Sequence, residues 1–404
     1  MAQLLEALGA PQRAYPVFHI AGTNGKGSTV ATLDALLRAH GLRVARYTSP
    51  HLVDFAERIV VDGRPMAHDA ITAWLTEHEP LLTSLGATFF EATTAMAFCH
   101  FAAAKADVAI VEVGLGGRLD ATNLVDPIAA AVTQIGFDHM EYLGDTLELI
   151  AGEKAGIFKA GRPAVIGDTR LSIRALLQRH AEDVGATPIL VNGRDWTVQD
   201  VRLSASGTAF TLTGAAGAVA YQTPLVGAFQ AHNCAVALAM LEGAGERWRD
   251  VLTAAPSALS GVRLAGRFHR AGRWLFDVAH NADGAATVVA NLQAIGAVRP
   301  VVAVVSVLRD KDWRGMLQTL AGAVDRLILT NTPTAPASRL WPLEEVVAWA
   351  QSAGIPVDPV PVFAEALHRA EAHAPALGAT ILVTGSFHTV GDAMERLQVD
   401  PLAR

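Results

Sequence analysis

The chain has 404 residues, 51% of them hydrophobic and 18% charged, which calls for two or three domains and excludes a disordered chain. A formal charge of −7, from 32 basic and 39 acidic residues with no basic run, excludes a general nucleic-acid binder. The N-terminal MAQLLEALGAPQRAY lacks the basic start and apolar core of a signal peptide, and no apolar string reaches the ~20 residues that span a bilayer. A cytoplasmic protein without a membrane partner is expected.

In chain order, the stretches PVFHI, LRVARYTS, ADVAIVEVG and IAAAVTQI read as strands in the first third. RWLFDVA, PVVAVVSVL, DRLILT and TILVTGS do so in the last third. Helical spacing separates them, for instance Val30, Leu33, Leu36 and Leu37 before Gly41. Unbroken apolar strands alternating with amphipathic helices predict parallel sheets covered on both faces, an α/β protein. Residues 194–226 break the rhythm with period-two alternation and Gly- and Ser-rich turns, predicting antiparallel hairpins. A helix from Gln230 to Gly243 follows. The Ala-, Ser-, Gly- and Pro-rich TAAPSALSGVRLAGR then marks a linker, dividing the chain into domains 1–258 and 267–404 with residues 259–266 between. Cys99 and Cys234 sit in apolar helical contexts and are expected to be free thiols.

Four stretches carry chemistry. HIAGTNGKGSTV places a Gly-rich turn between a strand and a helix that starts near Ser28 and Thr29. It departs from the pattern G-x-x-x-x-G-K-[ST], because Ile20 and Gly27 stand where that pattern has a glycine and a hydroxyl residue. Even so, Gly22, Gly25 and Gly27 allow close backbone approach, Lys26 supplies charge and Ser28 can reach Mg²⁺. A nucleotide site of non-standard type is expected, against the plainer reading of a tight turn. Next, ADVAIVEVGLGGRLDATN ends an apolar strand in Glu112, where a carboxylate can hold Mg²⁺ or simply cap the turn through Arg118. IAAAVTQIGFDHMEYLG runs another strand out into Asp138 and His139. Lys154 follows in EKAGI and, from the residues alone, reads as a solvated helix charge. Finally, DVAHN, SVLRDKDW and ILVTGSFHTVG set polar groups at the ends of apolar strands, a binding edge or a row of helix caps.

Taken with TSPHL, ERIVVDG, FFEATTAMAF and GRF, these motifs run in order from residue 19 to about 392. The chain thereby resembles the folylpolyglutamate synthase and dihydrofolate synthase family of the Mur ligase superfamily. The resemblance implies an N-terminal P-loop-type mononucleotide-binding domain with a small antiparallel subregion and a C-terminal Rossmann-like α/β domain. It implies an ATP-dependent ligase that phosphorylates a carboxylate of dihydropteroate or a folate and joins it to L-glutamate. Residues follow by motif. ATP would be held by Gly22, Thr23, Asn24, Gly25, Lys26, Gly27, Ser28, Asn233, Arg267 and Asp277, and Mg²⁺ by Ser28, Ser49, Glu112 and His139. Lys26, Lys154 (as a carbamate) and His280 would be catalytic. Thr88, Phe89, Phe90, Glu91, Leu119, Asp120 and Ala121 would line the pterin pocket, with Ser386 near the glutamate. The resemblance admits a monovalent cation such as K⁺ and implies a monomer. About 16 residues precede the first strand where relatives carry a longer helical segment, so either the pterin pocket is built differently or the start codon is misplaced. A cell-wall Mur ligase and a non-catalytic ATP switch are the alternatives. The lack of an obvious UDP-binding domain disfavours the first, and the populated second edge disfavours the second.

Overall fold

Strands made only of apolar residues have no face to offer water, so they must be covered on both sides. The computed structural model, which describes residues 1–375 and 378–403, places them in the middle of two sheets. The first sheet contains β1 (Val17–Ala21), β2 (Val44–Tyr47), β3 (Ile59–Val61), β4 (Arg64–Pro65), β5 (Val108–Glu112), β6 (Ala129–Val132), β7 (Ala164–Ile166) and β8 (Ile189–Val191), in the order β4-β3-β2-β5-β1-β6-β7-β8. Neighbours from β2 to β8 run parallel, while β3 and β4 form an antiparallel margin. The register sets Ile20 opposite Glu112 and Ala21 opposite Val132, so the loop after β1 leaves the sheet beside the ends of β5 and β6.

Alternation along β1 sends Phe18 and Ile20 to one face, under the helices Lys26–Ala39 and Ala228–Gly243. The opposite face is covered by Phe89–Ala103, which brings Phe98 and Phe101 against Tyr47 and Val111. Leu4 and Leu5 of the short helix Ala2–Ala7 join that cluster. Leu147–Ala155 and Leu171–Asp183 cover Val132 and Ile166. Each such fully buried Phe or Leu contributes about 1.5–3 kcal/mol of transfer free energy.

The expected hairpins are β9 (Thr197–Ser204), β10 (Gly207–Gly214) and β11 (Gly217–Thr223), antiparallel and joined by tight turns. Buried Phe210 stacks on Tyr221 at 5.7 Å and packs toward Ala228–Gly243. The third sheet contains β12 (His269–Ala271), β13 (Trp274–Asp277), β14 (Val301–Val305), β15 (Arg326–Leu329), β16 (Val357–Pro359) and β17 (Thr380–Thr384), in the order β12-β13-β17-β14-β15-β16. All pairs are parallel except β12/β13. Inserting β17 between β13 and β14 reverses the strand order there, where open α/β sheets open a crevice.

The first long helix, Lys26–Ala39, has Ser28 and Thr29 in its first turn as expected, behind Gly25 in the left-handed region. One local expectation is corrected: strand β6 stops at Val132 instead of at Ile135, since the next residues turn to bind the loop after β1. The two- and three-residue strands β3, β4, β7, β8, β12 and β16 were not expected; so few residues show no period. Both cysteines are free. Among the described residues no helix is long and apolar enough to cross a membrane.

Candidate active site

The loop Gly22–Gly25 is held from outside rather than by itself. The N–H groups of Thr23 and Asn24 donate to the Gln134 carbonyl at 2.8 and 3.2 Å. The Thr23 hydroxyl donates to the Gly136 carbonyl and accepts its N–H, both at 3.0 Å, and the Thr133 hydroxyl donates to the Asn24 carbonyl at 2.7 Å. Gly25 has φ +94, and a Cβ there would lie 2.3 Å from Asn233 Oδ1, so only glycine fits beneath that buried amide. The first helical bond runs from Thr29 N–H to the Gly25 carbonyl at 2.9 Å. Helix N–H groups before it, those of Lys26, Gly27 and Ser28, face the loop end with the positive end of the dipole behind them. Lys26 Nζ is held by the Gly22 and Thr23 carbonyls at 3.0 and 3.3 Å.

Glu112 ends β5 in this corner. Its Oε1 lies 3.9 Å from Lys26 Nζ, and its Oε2 accepts the Ser49 N–H at 3.4 Å. Burial raises its pKa, against the opposing pull of Lys26, Arg267 and Arg58. A buried carboxylate with more desolvation than its neighbours offset suits a divalent cation, and Ser28 and Ser49 add hard oxygen donors. No group of three or more His, Cys, Asp or Glu placed to hold a metal occurs among the described residues. The expected set includes only two such side chains, Glu112 and His139. His139 caps the short helix Met140–Leu143 with its side chain 49% exposed and its Nε2 3.6 Å from Asp138, on the surface of the loop after β6.

Lys154 overturns the reading of a solvated charge. It is buried in the last turn of Leu147–Ala155, and burial, then the nearby Lys26 ammonium, lower its pKa to about 7 against Asp138 and Asp120. A lysine with a pKa this low keeps a substantial share of neutral, nucleophilic amine near pH 7.

The ends of the third sheet face this corner. Asp277, closing β13, accepts the N–H groups of Phe268 at 2.8 Å and Ala279 at 2.9 Å. Half-buried Arg267 lies within the field of both Asp277 and Glu112, with its guanidinium 5.4 Å from the Phe387 ring centre. His280 Nδ1 lies 2.9 Å from the Val278 carbonyl, an acceptor, so Nδ1 carries the hydrogen and Nε2 keeps its lone pair. Burial lowers its pKa, so that lone pair is free at neutral pH. Ser386 is engaged: it caps Phe387–Arg396, accepting the Thr389 N–H at 3.0 Å.

Comparison with known proteins agrees with this geometry. The model of the Mur ligase middle domain matches residues 20–241, and that of the Mur ligase glutamate ligase domain matches residues 266–387. The chain belongs to the Mur ligase family. It is 38% identical to the dihydrofolate synthase/folylpolyglutamate synthase of Escherichia coli (strain K12), over 96% of this chain and 88% of that protein. The structure of E. coli FolC in complex with DHPP and ADP superposes with a TM-score of 0.86 at 35% identity, covering 98% and 91% of the two chains. A bifunctional folylpolyglutamate synthase/dihydrofolate synthase with Mn, AMPPNP and L-glutamate bound gives a TM-score of 0.83 at 32% identity, covering 98% and 93%. The protein is thus an ATP-dependent ligase of the folate branch of the Mur ligases.

In this ligase the residues expected at a pterin pocket fall into two groups. Phe89 is 64% exposed and Leu119 79% exposed, both open to a ligand, and half-buried Phe90 packs on Tyr47 at 6.0 Å. Thr88 and Glu91 form the capping box of Phe89–Ala103, and Glu91 also pairs with the Met1 ammonium at 2.8 Å. Asp120 accepts the N–H groups of Gly114 at 3.1 Å, Leu115 at 2.9 Å and Thr122 at 3.0 Å, so its visible work is to fold the Gly-rich turn, beside buried Ala121. Sequence reasoning passed over Arg58, although ERIVVDG contained it. Its Nε donates to His51 Nδ1 at 2.8 Å, and its guanidinium lies 6.0 and 5.8 Å from the ring centres of Phe55 and Phe89. Thr133 to Gly136, which anchor the Gly-rich loop after β1, were also missed; nothing local marks them.

Proposed function

We propose that this ligase joins L-glutamate to dihydropteroate, to reduced folates, or to both, through an acyl phosphate. An oxygen of the acid attacks the γ-phosphorus of ATP as the β,γ-bridging P–O bond breaks and ADP leaves. The glutamate nitrogen then attacks the acyl carbon, forming the C–N bond as the C–O bond to phosphate breaks. Activation is needed because a carboxylate's charge and resonance resist an amine.

In this reading Gly22 to Ser28 cradle the phosphates, Lys26 neutralises them, and Asn233, Arg267 and Asp277 fix the nucleotide. Ser28, Ser49, Glu112 and His139 would hold Mg²⁺, which when bound compensates charge on the triphosphate. Lys154 attacks CO₂ as the neutral amine, its C–N bond forming as one C=O π bond opens and an amine proton is lost to solvent, and becomes a carbamate, converting a cation into a carboxylate-like group. His280, neutral with Nε2 bare, accepts the proton that the attacking amine releases. Thr88–Glu91 and Leu119–Ala121 frame the pterin, and Ser386 bounds the glutamate end. Domains of residues 1–258 and 267–404 joined through 259–266, a monomeric state, a cytoplasmic location and a requirement for a monovalent cation such as K⁺ complete the proposal.

The observation that carries it is the meeting of two sets of side chains, Lys26, Glu112 and Lys154 from around the first sheet with Arg267, Asp277 and His280 from around the third. The test is phosphate release by the purified protein with ATP and Mg²⁺. Release that requires both glutamate and a pteroate or folate supports the proposal. Release with a UDP-sugar peptide instead, or with no acid–amine pair, overturns it.

A further inference from the structure

His19 lies in β1 below the loop that carries the phosphates, with its side chain fully buried. Its Nε2 lies 2.9 Å from the Thr122 hydroxyl oxygen. That hydroxyl has one hydrogen, and it is directed to Asp120 Oδ1 at 2.5 Å. The Thr122 oxygen must therefore accept from His19, which sets the imidazole as the Nε2–H tautomer and leaves Nδ1 bare. Nδ1 is buried without a hydrogen-bond partner, so placing a proton on it would bury an unpaired N–H. Burial, reinforced by the Lys159 ammonium, drives its pKa to about 3, in keeping with a neutral ring.

The other end of this chain of bonds is the turn after Glu112. Asp120 receives the N–H groups of Gly114 and Leu115 on Oδ2 while Thr122 holds Oδ1. The same turn seats Gly117 so closely on the helix of Lys154 that a Cβ would lie 2.8 Å from the Glu153 carbonyl and 2.9 Å from that of Lys154. Arg118 N–H donates to the Glu153 carbonyl at 2.8 Å. Without the His19 donor the Thr122 oxygen loses a partner and its hydroxyl is free to turn away, leaving Asp120 held only by the backbone N–H groups of Gly114, Leu115 and Thr122.

We propose that His19 is a positioning residue for the acid substrate: as a neutral Nε2–H donor it fixes Thr122 and Asp120, and through them the turn Gly114–Ala121, whose residues Leu119–Ala121 the ligase reading sets against the pterin. This deepens the ligase reading and rests on it for the identity of the acid. Polar groups that orient a site from behind typically contribute 10–100-fold.

The experiment compares His19→Leu, which removes the donor, with His19→Gln, which retains an amide donor at similar reach, and with Thr122→Val, which cuts the chain at its middle. His19→Leu and Thr122→Val are expected to raise KM for dihydropteroate about tenfold or more with KM for ATP within about twofold of wild type, and His19→Gln to restore most of the loss. An unchanged KM for the acid, or equal losses for acid and ATP, overturns the proposal. Imidazole ¹⁵N spectra of the wild-type protein, with the His19 signals identified by their loss in His19→Gln, decide it without activity or a destabilised variant. A neutral Nε2–H ring at pH 7 supports it, and an Nδ1–H ring or an imidazolium overturns it. A wild-type protein silent with acid and glutamate would count against the ligase reading, while the spectra still judge His19.

Discussion

The carbonyl oxygen of Leu52 occupies the place of a side chain on Gly391: a Cβ built there would lie 2.0 Å from it. Leu52 belongs to the first lobe's SPHL segment and Gly391 to Phe387–Arg396 of the second, where Leu52 packs on the cluster of Val278, Val390 and Met394. Glu57 stiffens the segment by accepting the N–H groups of Leu52, Val53 and Asp54 at 2.9, 2.7 and 2.7 Å. The two lobes thus touch backbone to backbone three residues from Ser49.

For Gly391→Ala, helix propensity alone favours alanine by about 1 kcal/mol. The clash is with a braced carbonyl rather than a flexible side chain, and such overpacking costs about 1–3 kcal/mol. Net destabilisation together with a fall in kcat is expected, read by thermal melts and phosphate release. A variant more stable than wild type and fully active would show that the lobes do not stay in this contact.

Lys26→Ala should leave the fold intact, since Nζ donates to its own loop's carbonyls and makes a long ion pair with Glu112, 3.9 Å away. Loss of a charge aimed at the transferring phosphoryl group should lower turnover by about 10²–10³-fold. Circular dichroism and a coupled ADP assay check both halves. Near-normal turnover would relocate the triphosphate away from the loop.

The lysine at 154 links stability to pH. Its pKa falls from 10.5 in the unfolded chain to about 7 in the fold, so between those values the unfolded chain holds a proton the folded chain lacks. Stability from this group therefore rises with pH across that window; the burial penalty is full below pH 7 and absent above 10.5. Lys154→Met removes the penalty. In CO₂-free buffer it should be more stable than wild type at pH 6, and its advantage should shrink by pH 9, as urea unfolding at each pH would measure. An advantage constant with pH would mean that the amine is not desolvated.

Activity offers a separate readout of the proposed carbamate. Lys154→Ala should lose most of its turnover and regain part of it in formate or acetate, which can enter the vacated space as a carboxylate. A dose series of each salt against a chloride control decides. Equal inactivity in all three would remove the modification.

Much of the site was legible because its backbone signals are local. A strand, a glycine turn and a helix start within nine residues announce a phosphate loop, and an apolar strand closing on Glu112 or Asp277 announces a sheet edge. What Lys154 and Asp120 do was not legible: a lysine in EKAGI looks solvated until Leu147–Ala155 is seen to turn it inward, and LDATN does not show its carboxylate folding a turn. By itself the sequence determined the α/β class, the order of the motifs and the kinds of group available, since these depend on periodicity and residue chemistry along the chain. Only the tertiary structure decided that Gln134 and Thr133 brace the phosphate loop, that Asn233 closes over Gly25, and that His19 must donate to Thr122. Those contacts join residues roughly 100 to 200 positions apart, and their direction depends on which neighbour has a hydrogen to give.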